Sequence, residues 1–160
     1  MSQFEKDQYF MELAISEAEK AVLIDEVPVG AVLLLGDKVL STAHNARIST
    51  FDPTGHAEIL AIRKAAQTIK NYRLTGTSLY VTVEPCPMCF GAIMEARVTE
   101  VVFSVREPRS GVMGSLYDLQ NDPRWSHKII VREGILDGPV QELLRNFFLK
   151  KRLGPQDHLC

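Results

Sequence analysis

The chain has 160 residues, a formal net charge of −2, 46% hydrophobic residues and 24% charged residues. These proportions are ordinary for a globular protein, and the length favours a single domain over residues 1–160 with a core of its own. The small negative charge argues against a large nucleic-acid-binding surface, and no apolar stretch approaches the length of a membrane span. Three cysteines cannot form a fully paired disulfide framework, so we expect a reducing, cytoplasmic location.

Hydrophobic periodicity predicts a succession of helices and strands without an internal repeat or a linker. In chain order, the predicted elements are a helix over 2–24, strands over 29–35 and 39–45, a helix over 56–70, a strand over 78–84, a helix over 86–98, a strand over 100–105, a strand within 128–136 and a helix over 138–152. The first two strands are joined by "GDK" and read as a hairpin, and a loop over 106–127 precedes the last strand.

The middle of this succession alternates strand, helix and strand, and its strands are almost continuously apolar. Such strands are typical of parallel pairing in a sheet that is covered on both faces. We therefore predict an α/β fold, namely a three-layer α/β/α sandwich around a mixed five-stranded sheet that opens with an antiparallel hairpin.

Cys86 and Cys89 are the first indication of a chemical site. They stand three residues apart at the predicted start of a helix, so both sulfurs lie on one face. The positive end of the helix dipole favours their thiolate form, and Pro85 and Pro87 suit a first turn, where a missing N–H costs little. Two thiolates one turn apart are half of a zinc site, although redox-active pairs use the same spacing.

His56 offers a third ligand, and no fourth cysteine or histidine occurs nearby. Sulfur together with imidazole selects zinc, and three protein ligands leave a position for water, as in hydrolytic zinc enzymes. Glu58 can reach the same pocket only if His56 and Glu58 both lie in the first, half-formed turn of their helix. There a glutamate that is not a ligand can take and return a proton. Taken singly, the two residues read as a capping histidine and a first-turn acid.

The combination of "HAE" with "PCPMC", about thirty residues apart, resembles the cytidine/nucleobase deaminase superfamily, whose signature is H-x-E…P-C-x-x-C. Further stretches resemble the bacterial tRNA-specific adenosine deaminases within it, over nearly the whole chain: "EVPVGAV", "AHN", "DPTGHAE", "NYRLTGTSLYVTVEPCPMC" and "SGVMGSLYDL". Cytosine, guanine and deoxycytidylate deaminases share the zinc signature, so "SGVMGSLYDL" and the terminal "FFLKKR" are what favour the tRNA-specific enzymes.

This resemblance implies hydrolytic deamination of adenosine to inosine at the wobble position, 34, of a tRNA anticodon. One zinc ion per subunit is expected on His56, Cys86 and Cys89. A zinc-activated water attacks C6 of adenine, and Glu58, the catalytic residue, carries a proton to N1 and then to the departing amine. Ammonia is released.

The resemblance also implies contacts with an anticodon stem-loop through six residues: Asn45, Arg47, Glu107, Arg109, Phe148 and Arg152. Asn45 is expected to bind the flipped base, and Phe148 to pack on another base. Apart from the family, Asn45 reads as a turn former, and Phe147 and Phe148 would divide between two faces of their helix. The family often has Asp, Lys and Asn where Glu107, Arg109 and Ser126 stand, so the zinc and proton-transfer residues match more fully than the RNA contacts.

The family also implies a homodimer that works in the cytoplasm without a membrane. Three alternatives stay open from the residues alone. The first is a deaminase of a free base or nucleotide, such as guanine, cytosine or deoxycytidylate. The second is a non-catalytic, zinc-stabilised RNA-binding module, and the third is a C-x-x-C redox protein.

Overall fold

The computed structural model describes residues 1–153; residues 154–160, with Cys160 among them, lie outside the described part. The helices are α1 (Gln3–Leu23), α2 (Ala57–Ile69), α3 (Pro87–Glu95) and α4 (Asp137–Arg152), with a short 3₁₀ helix over Leu119–Asn121. The strands are β1 (Gly30–Leu35), β2 (Lys38–His44), β3 (Thr77–Val83), β4 (Glu100–Val105) and β5 (Ile130–Glu133). In the described range, no helix combines the length and apolar character that crossing a bilayer requires.

The five strands form one mixed sheet in the order β2-β1-β3-β4-β5. Strand β1 runs antiparallel to β2 and to β3, whereas β3, β4 and β5 are mutually parallel. The predicted mixed five-stranded sheet with its opening hairpin is therefore confirmed.

Helices cover both faces of this sheet. On one face, α2 and α3 pack against the strands through small and aromatic side chains: Ala57, Ala61, Ala65, Phe90 and Ile93. On the other face, α1 contributes Phe10, Met11 and Ala14, which pack on Val32, Tyr80 and Val102. Helix α4 lies against β4 and α1 on that second face. The three layers match the prediction.

Gly30, the first residue of β1, allows α1 to lie unusually close to the sheet. A Cβ atom there would sit 1.9 Å from the Ala14 carbonyl oxygen, so no other residue fits without moving the helix. The Gly30 N–H donates to Thr82 Oγ1 on β3 at 3.1 Å, which satisfies a buried amide at this end of the sheet.

Helix α3 ends at Glu95, three residues before the predicted end at Val98. Arg97 takes a left-handed conformation with φ of 60°. Its N–H donates to the Met94 carbonyl, and the Val98 N–H donates to the Ile93 carbonyl. These two bonds form a Schellman motif, which closes the helix and turns Val98 into the core. Strand β5 is likewise shorter than the predicted segment, because Gly134, at φ of 81°, turns the chain away.

The topology brings three loops to one edge of the sheet. Because β2 and β3 both run antiparallel to β1, and β3 runs parallel to β4, the carboxyl ends of β2, β3 and β4 meet at this edge. The segments that follow these strands carry Asn45, Cys86 and Glu107, respectively. In open α/β sheets, ligands bind outside the carboxyl ends of the strands.

Candidate active site

Three metal-ligating side chains converge at this edge. The donor atoms of His56, Cys86 and Cys89 all lie within 4.8 Å of one another. The distances from His56 Nδ1 to the Sγ atoms of Cys86 and Cys89 are 3.6 and 3.4 Å. In a tetrahedral zinc site with ordinary bond lengths, nitrogen and sulfur ligands are separated by about 3.6 Å. The cluster therefore fits zinc in donor type and in spacing.

The three metal-ligating residues lie at the first turns of two helices, α2 and α3. His56 is the N-cap of α2, with extended backbone at φ −77° and ψ 150°, and Cys86 is the N-cap of α3. Pro87 occupies the first position of α3, and Cys89 follows one turn into the helix. Thus the positive ends of two helix dipoles point towards the cluster, which favours the thiolate form of the ligands.

The charges within the cluster are strongly coupled. The pKa of Cys86 is lowered to about 4, because a hydrogen bond from Cys89 and the neighbouring His56 imidazole together outweigh the opposing effect of burial. The pKa of Cys89 is raised, because this thiol donates to Cys86 and is buried. The pKa of His56 is raised by its hydrogen bond with Cys86. A divalent cation at such a position favours the thiolate form of both cysteines.

Glu58 lies in the first turn of α2, beside the cluster, as the spacing from His56 predicts. Its side chain is only 4% exposed. Burial raises the pKa of Glu58, and the carboxyl group also interacts electrostatically with His56 and Cys86. A buried glutamate with a raised pKa is suited to exchange protons with water and substrate.

Asn45 follows directly on β2 and is buried. Its Oδ1 accepts a hydrogen bond from the Ala57 N–H at 2.9 Å. Because the N-cap residue His56 forms no side-chain cap, Asn45 provides an acceptor for the first turn of α2. The side chain thus joins β2 to the helix that carries His56 and Glu58.

The loop over 46–55 carries Arg47 and is closed at its base by the Ala46 N–H, which donates to the Gly55 carbonyl at 2.9 Å. Glu26, which is fully buried, supports the loop from below through Oε1, the acceptor for the Ile48 and Ser49 N–H groups. Sequence reasoning did not single out Glu26, although an acid inside the largely apolar "EVPVGAV" is an unusual feature.

The segment after β4 carries Glu107 and Arg109. The Arg109 N–H donates to Glu107 Oε1 at 2.9 Å, so these two predicted RNA contacts belong to one local turn. The Arg109 side chain is exposed. Glu84, which sequence reasoning also missed, lies buried under this segment; its signal was an acid at the end of the apolar strand "SLYVTV".

Phe147 and Phe148 divide between two faces of α4, as expected for adjacent helical residues. Phe147 is buried, whereas Phe148 is 36% exposed. Arg152 is exposed one turn after Phe148, and residues four apart share a helix face. Since α4 packs on the face opposite α2 and α3, packing does not join this pair to the metal-ligating cluster.

An ion pair nevertheless connects the end of α4 to the segment between α1 and β1, at the same edge of the sheet. Lys151 pairs with Asp25, which immediately precedes Glu26. Glu26 in turn holds the loop that carries Arg47. The basic end of α4 is thus connected, through two adjacent acids, to a loop beside the cluster.

Comparison with known proteins agrees with this geometry. A family model for the cytidine and deoxycytidylate deaminase zinc-binding region matches residues 4–105. The tRNA-specific adenosine deaminase of Bacillus subtilis is 40% identical over 92% of this chain and 91% of its own length. The chain belongs to the tRNA-specific adenosine deaminase family. The matching family model describes a zinc-binding region, which agrees with the cluster of His56, Cys86 and Cys89.

Solved structures support the family assignment. A structure from a study of A-to-I editing by tRNA:A34 deaminases at the wobble position of transfer RNA is 39% identical, with a TM-score of 0.82 over 85% of this chain and 99% of that chain. The guanine deaminase of Nitrosomonas europaea reaches a TM-score of 0.74 at 22% identity, over 88% of this chain and 83% of that chain. The second likeness shows the fold alone, so the fold does not decide between the tRNA-specific family and deaminases of free bases.

Proposed function

We propose that this chain hydrolyses the wobble adenosine of a tRNA anticodon to inosine and releases ammonia. The observation that carries the proposal is the His56, Cys86 and Cys89 cluster with buried Glu58 beside it, in a chain of the tRNA-specific adenosine deaminase family. Neither a C-x-x-C redox protein nor a non-catalytic module requires this additional buried carboxyl group.

His56, Cys86 and Cys89 would hold one zinc ion per subunit. A zinc ion bound there would lower the pKa of a water and so supply the nucleophile for attack at C6. Glu58 takes one proton from the attacking water and delivers it to N1 of adenine. It then carries a second proton to the C6 amine, which leaves as ammonia, so that adenosine and water become inosine and ammonia.

We also propose the substrate-binding roles that the family resemblance implies. Asn45 binds the flipped base, while Arg47, Glu107 and Arg109 contact the anticodon loop. Phe148 packs on an RNA base, and Arg152 contacts the anticodon loop as well. Single-stranded loops suit this reaction, because their bases enter a pocket at little cost in stacking.

We further propose that residues 1–160 act as one catalytic domain, that two copies form a homodimer, and that the enzyme works in the cytoplasm, where mature tRNA is used. The family assignment supports the cytoplasmic location, since the relatives act on tRNA by name, and the homodimer is what the family resemblance implies.

A substrate panel tests the proposed function. Zinc-loaded protein is incubated with an anticodon stem-loop that carries adenosine at position 34, with the same stem-loop carrying adenosine only at another loop position, and with free adenosine, guanine, cytosine and deoxycytidylate. We expect inosine and an equal amount of ammonia from the first RNA alone. Turnover of a free base or nucleotide without the RNA would instead identify a small-molecule deaminase, and RNA binding without any ammonia would indicate the non-catalytic module.

A further inference from the structure

The carboxylate of Glu84 is the hydrogen-bonding centre of the segment that follows β4. Its Oε1 accepts from the Glu107 N–H at 3.1 Å and from the Ser115 hydroxyl. Its Oε2 accepts from the Met113 N–H at 2.9 Å and from the Ser115 N–H at 3.1 Å. All four donors belong to residues 107–115, which we call the Glu84 loop. One buried side chain therefore binds both ends of this loop.

The Glu84 loop closes tightly over that carboxylate. A Cβ atom on Gly111 would lie 2.3 Å from Cδ of Glu84, so no side chain fits between the loop and the acid. Next to it, the Val112 N–H donates to the Pro85 carbonyl at 3.1 Å. The loop is thus bound to the turn formed by Glu84, Pro85 and Cys86, which supplies one of the metal-ligating thiols.

Residues 107–115 include no helix or strand, so the bonds to Glu84 hold the Glu84 loop together with a few local backbone bonds, such as that from the Gly111 N–H to the Glu107 carbonyl at 2.8 Å. The loop carries Glu107 and Arg109, and the Glu107 N–H is itself one of the four donors. A change at the carboxylate would therefore move the residues that are proposed to contact RNA.

We infer that Glu84 is a positioning residue, which holds the Glu84 loop in the conformation that binds the anticodon loop. The inference rests on the proposed function for its substrate. Glu84 does not reach the reacting atoms; it acts through Glu107 and Arg109. Its removal should therefore weaken the binding of RNA more than it slows the chemical step.

The substitution Glu84→Gln predicts which of the four hydrogen bonds is lost. A glutamine side chain has one oxygen and one NH₂ group, and every backbone group that faces Glu84 is a donor. The NH₂ group is best tolerated on the Oε1 side, because the Ser115 hydroxyl can rotate to accept from it. The Glu107 N–H cannot reverse its role, so it alone loses its acceptor.

The test compares Glu84→Gln with the wild type and with Asp7→Asn, which alters a different buried carboxylate. For Glu84→Gln, we expect KM for the adenosine-34 stem-loop to rise about 10-fold or more, while kcat and zinc content stay nearly unchanged. In amide hydrogen exchange of the RNA-free protein, the Glu107 amide should exchange faster than in the wild type, and more so than Met113 or Ser115. Asp7→Asn should lower thermal stability without either effect.

The outcomes separate this inference from the proposed function. If the wild type converts the stem-loop and Glu84→Gln keeps its KM, or loses zinc together with activity, the positioning role is wrong. If the wild type does not act on the stem-loop, the proposed function fails, and the exchange of the Glu107 amide still decides whether Glu84 holds the loop.

A second variant covers the case in which Glu84→Gln does not fold. Gly111→Ala keeps the acid and places a methyl group against the Glu84 carboxylate, so it should raise KM for the stem-loop while kcat and zinc content stay nearly unchanged. An unchanged KM in a folded Gly111→Ala chain would overturn the inference.

Discussion

At the scale of single residues, the positions of His56 and Cys86 in their helices leave both side chains able to bind a metal ion. His56 and Cys86 occupy N-cap positions, where the backbone is extended and the side chain is free to point away from the helix. Neither caps its helix through a side-chain hydrogen bond. At α2, Asn45 supplies an acceptor instead, by binding the Ala57 N–H. The imidazole thus stays available for a metal ion.

Asn45 should therefore contribute both to stability and to base binding, and two substitutions separate the roles. Asn45→Ala leaves a buried N–H without its acceptor, so we expect it to lower the free energy of unfolding by about 1–3 kcal/mol and to reduce kcat/KM. Asn45→Asp keeps the acceptor oxygen and should cost less stability, while it still loses the amide that would bind the base. Chemical denaturation and steady-state kinetics measure the two effects. Equal stability of Asn45→Ala and the wild type would contradict the structural role.

Phe148 should affect RNA binding without affecting folding. Because its ring is partly exposed, Phe148→Ala should leave the melting temperature nearly unchanged, yet it should weaken stem-loop binding by about 1–3 kcal/mol, the usual value of a base–aromatic contact. Leu149→Ala is the matched control, since Leu149 is also exposed on α4. Fluorescence anisotropy with a labelled stem-loop reports the affinities. A similar loss in both variants would argue against a stacking role.

At the scale of helices and strands, Arg97 marks a helix end that the hydrophobic pattern does not predict. A left-handed conformation costs a residue with a Cβ about 1–2 kcal/mol, and glycine is the usual residue at this position of a Schellman motif. We expect Arg97→Gly to raise the free energy of unfolding by about 1 kcal/mol. Glu95→Gly, at the last residue of the same helix, should lower it instead. Denaturant titration measures both, and destabilisation by Arg97→Gly would contradict the observed cap.

The order and type of the elements could be predicted, because apolar periodicity reports which faces are buried. The helix starts at His56 and Cys86 were also predictable, since proline and the H-x-E spacing leave few other conformations. The end of α3 was not predictable, because no glycine marks Arg97. Glu26 and Glu84 were missed for a related reason: their partners lie more than twenty residues away along the chain, and only the closed fold brings them together.

At the scale of the whole molecule, Asp7 joins distant parts of the chain. This buried carboxylate on α1 accepts hydrogen bonds from Tyr80 on β3 at 2.6 Å and from Arg132 on β5 at 2.7 and 3.0 Å. Arg132 also pairs with Glu100 on β4. Through these contacts, the first helix is bound to β3, β4 and β5, and the segments after β3 and β4 carry residues of the site.

Asp7 also predicts how stability depends on pH. Burial opposes its ionisation, but the hydrogen bonds from Arg132 and Tyr80 outweigh burial, and the pKa of Asp7 lies below its ordinary value of 3.8. A carboxyl group whose pKa is lowered by folding contributes stability that is complete above the unfolded pKa and is lost as the pH falls through the folded pKa. We therefore expect this contribution to persist at neutral pH and to decline as the pH falls below about 4.

Asp7→Asn tests this expectation. It should lower the free energy of unfolding at neutral pH by about 2–4 kcal/mol, because Arg132 loses its buried partner, and it should make stability less dependent on pH below about 4. Asp37→Asn, which breaks an exposed pair with Lys6, should change the neutral-pH stability very little. Denaturation curves at several pH values measure both variants. An unchanged acid dependence in Asp7→Asn would assign it to other carboxyl groups.

We expect water to be added at C6 of the wobble adenosine, with Glu58 as the proton carrier. Mass spectrometry of the adenosine-34 stem-loop after reaction in ¹⁸O-water follows the origin of the new oxygen atom. The wild type should produce inosine that carries one ¹⁸O atom at position 34, and zinc-loaded Glu58→Gln should be slower by about 10²–10⁴-fold with its metal content unchanged. Inosine without the label, or Glu58→Gln turning over like the wild type, would contradict the claim.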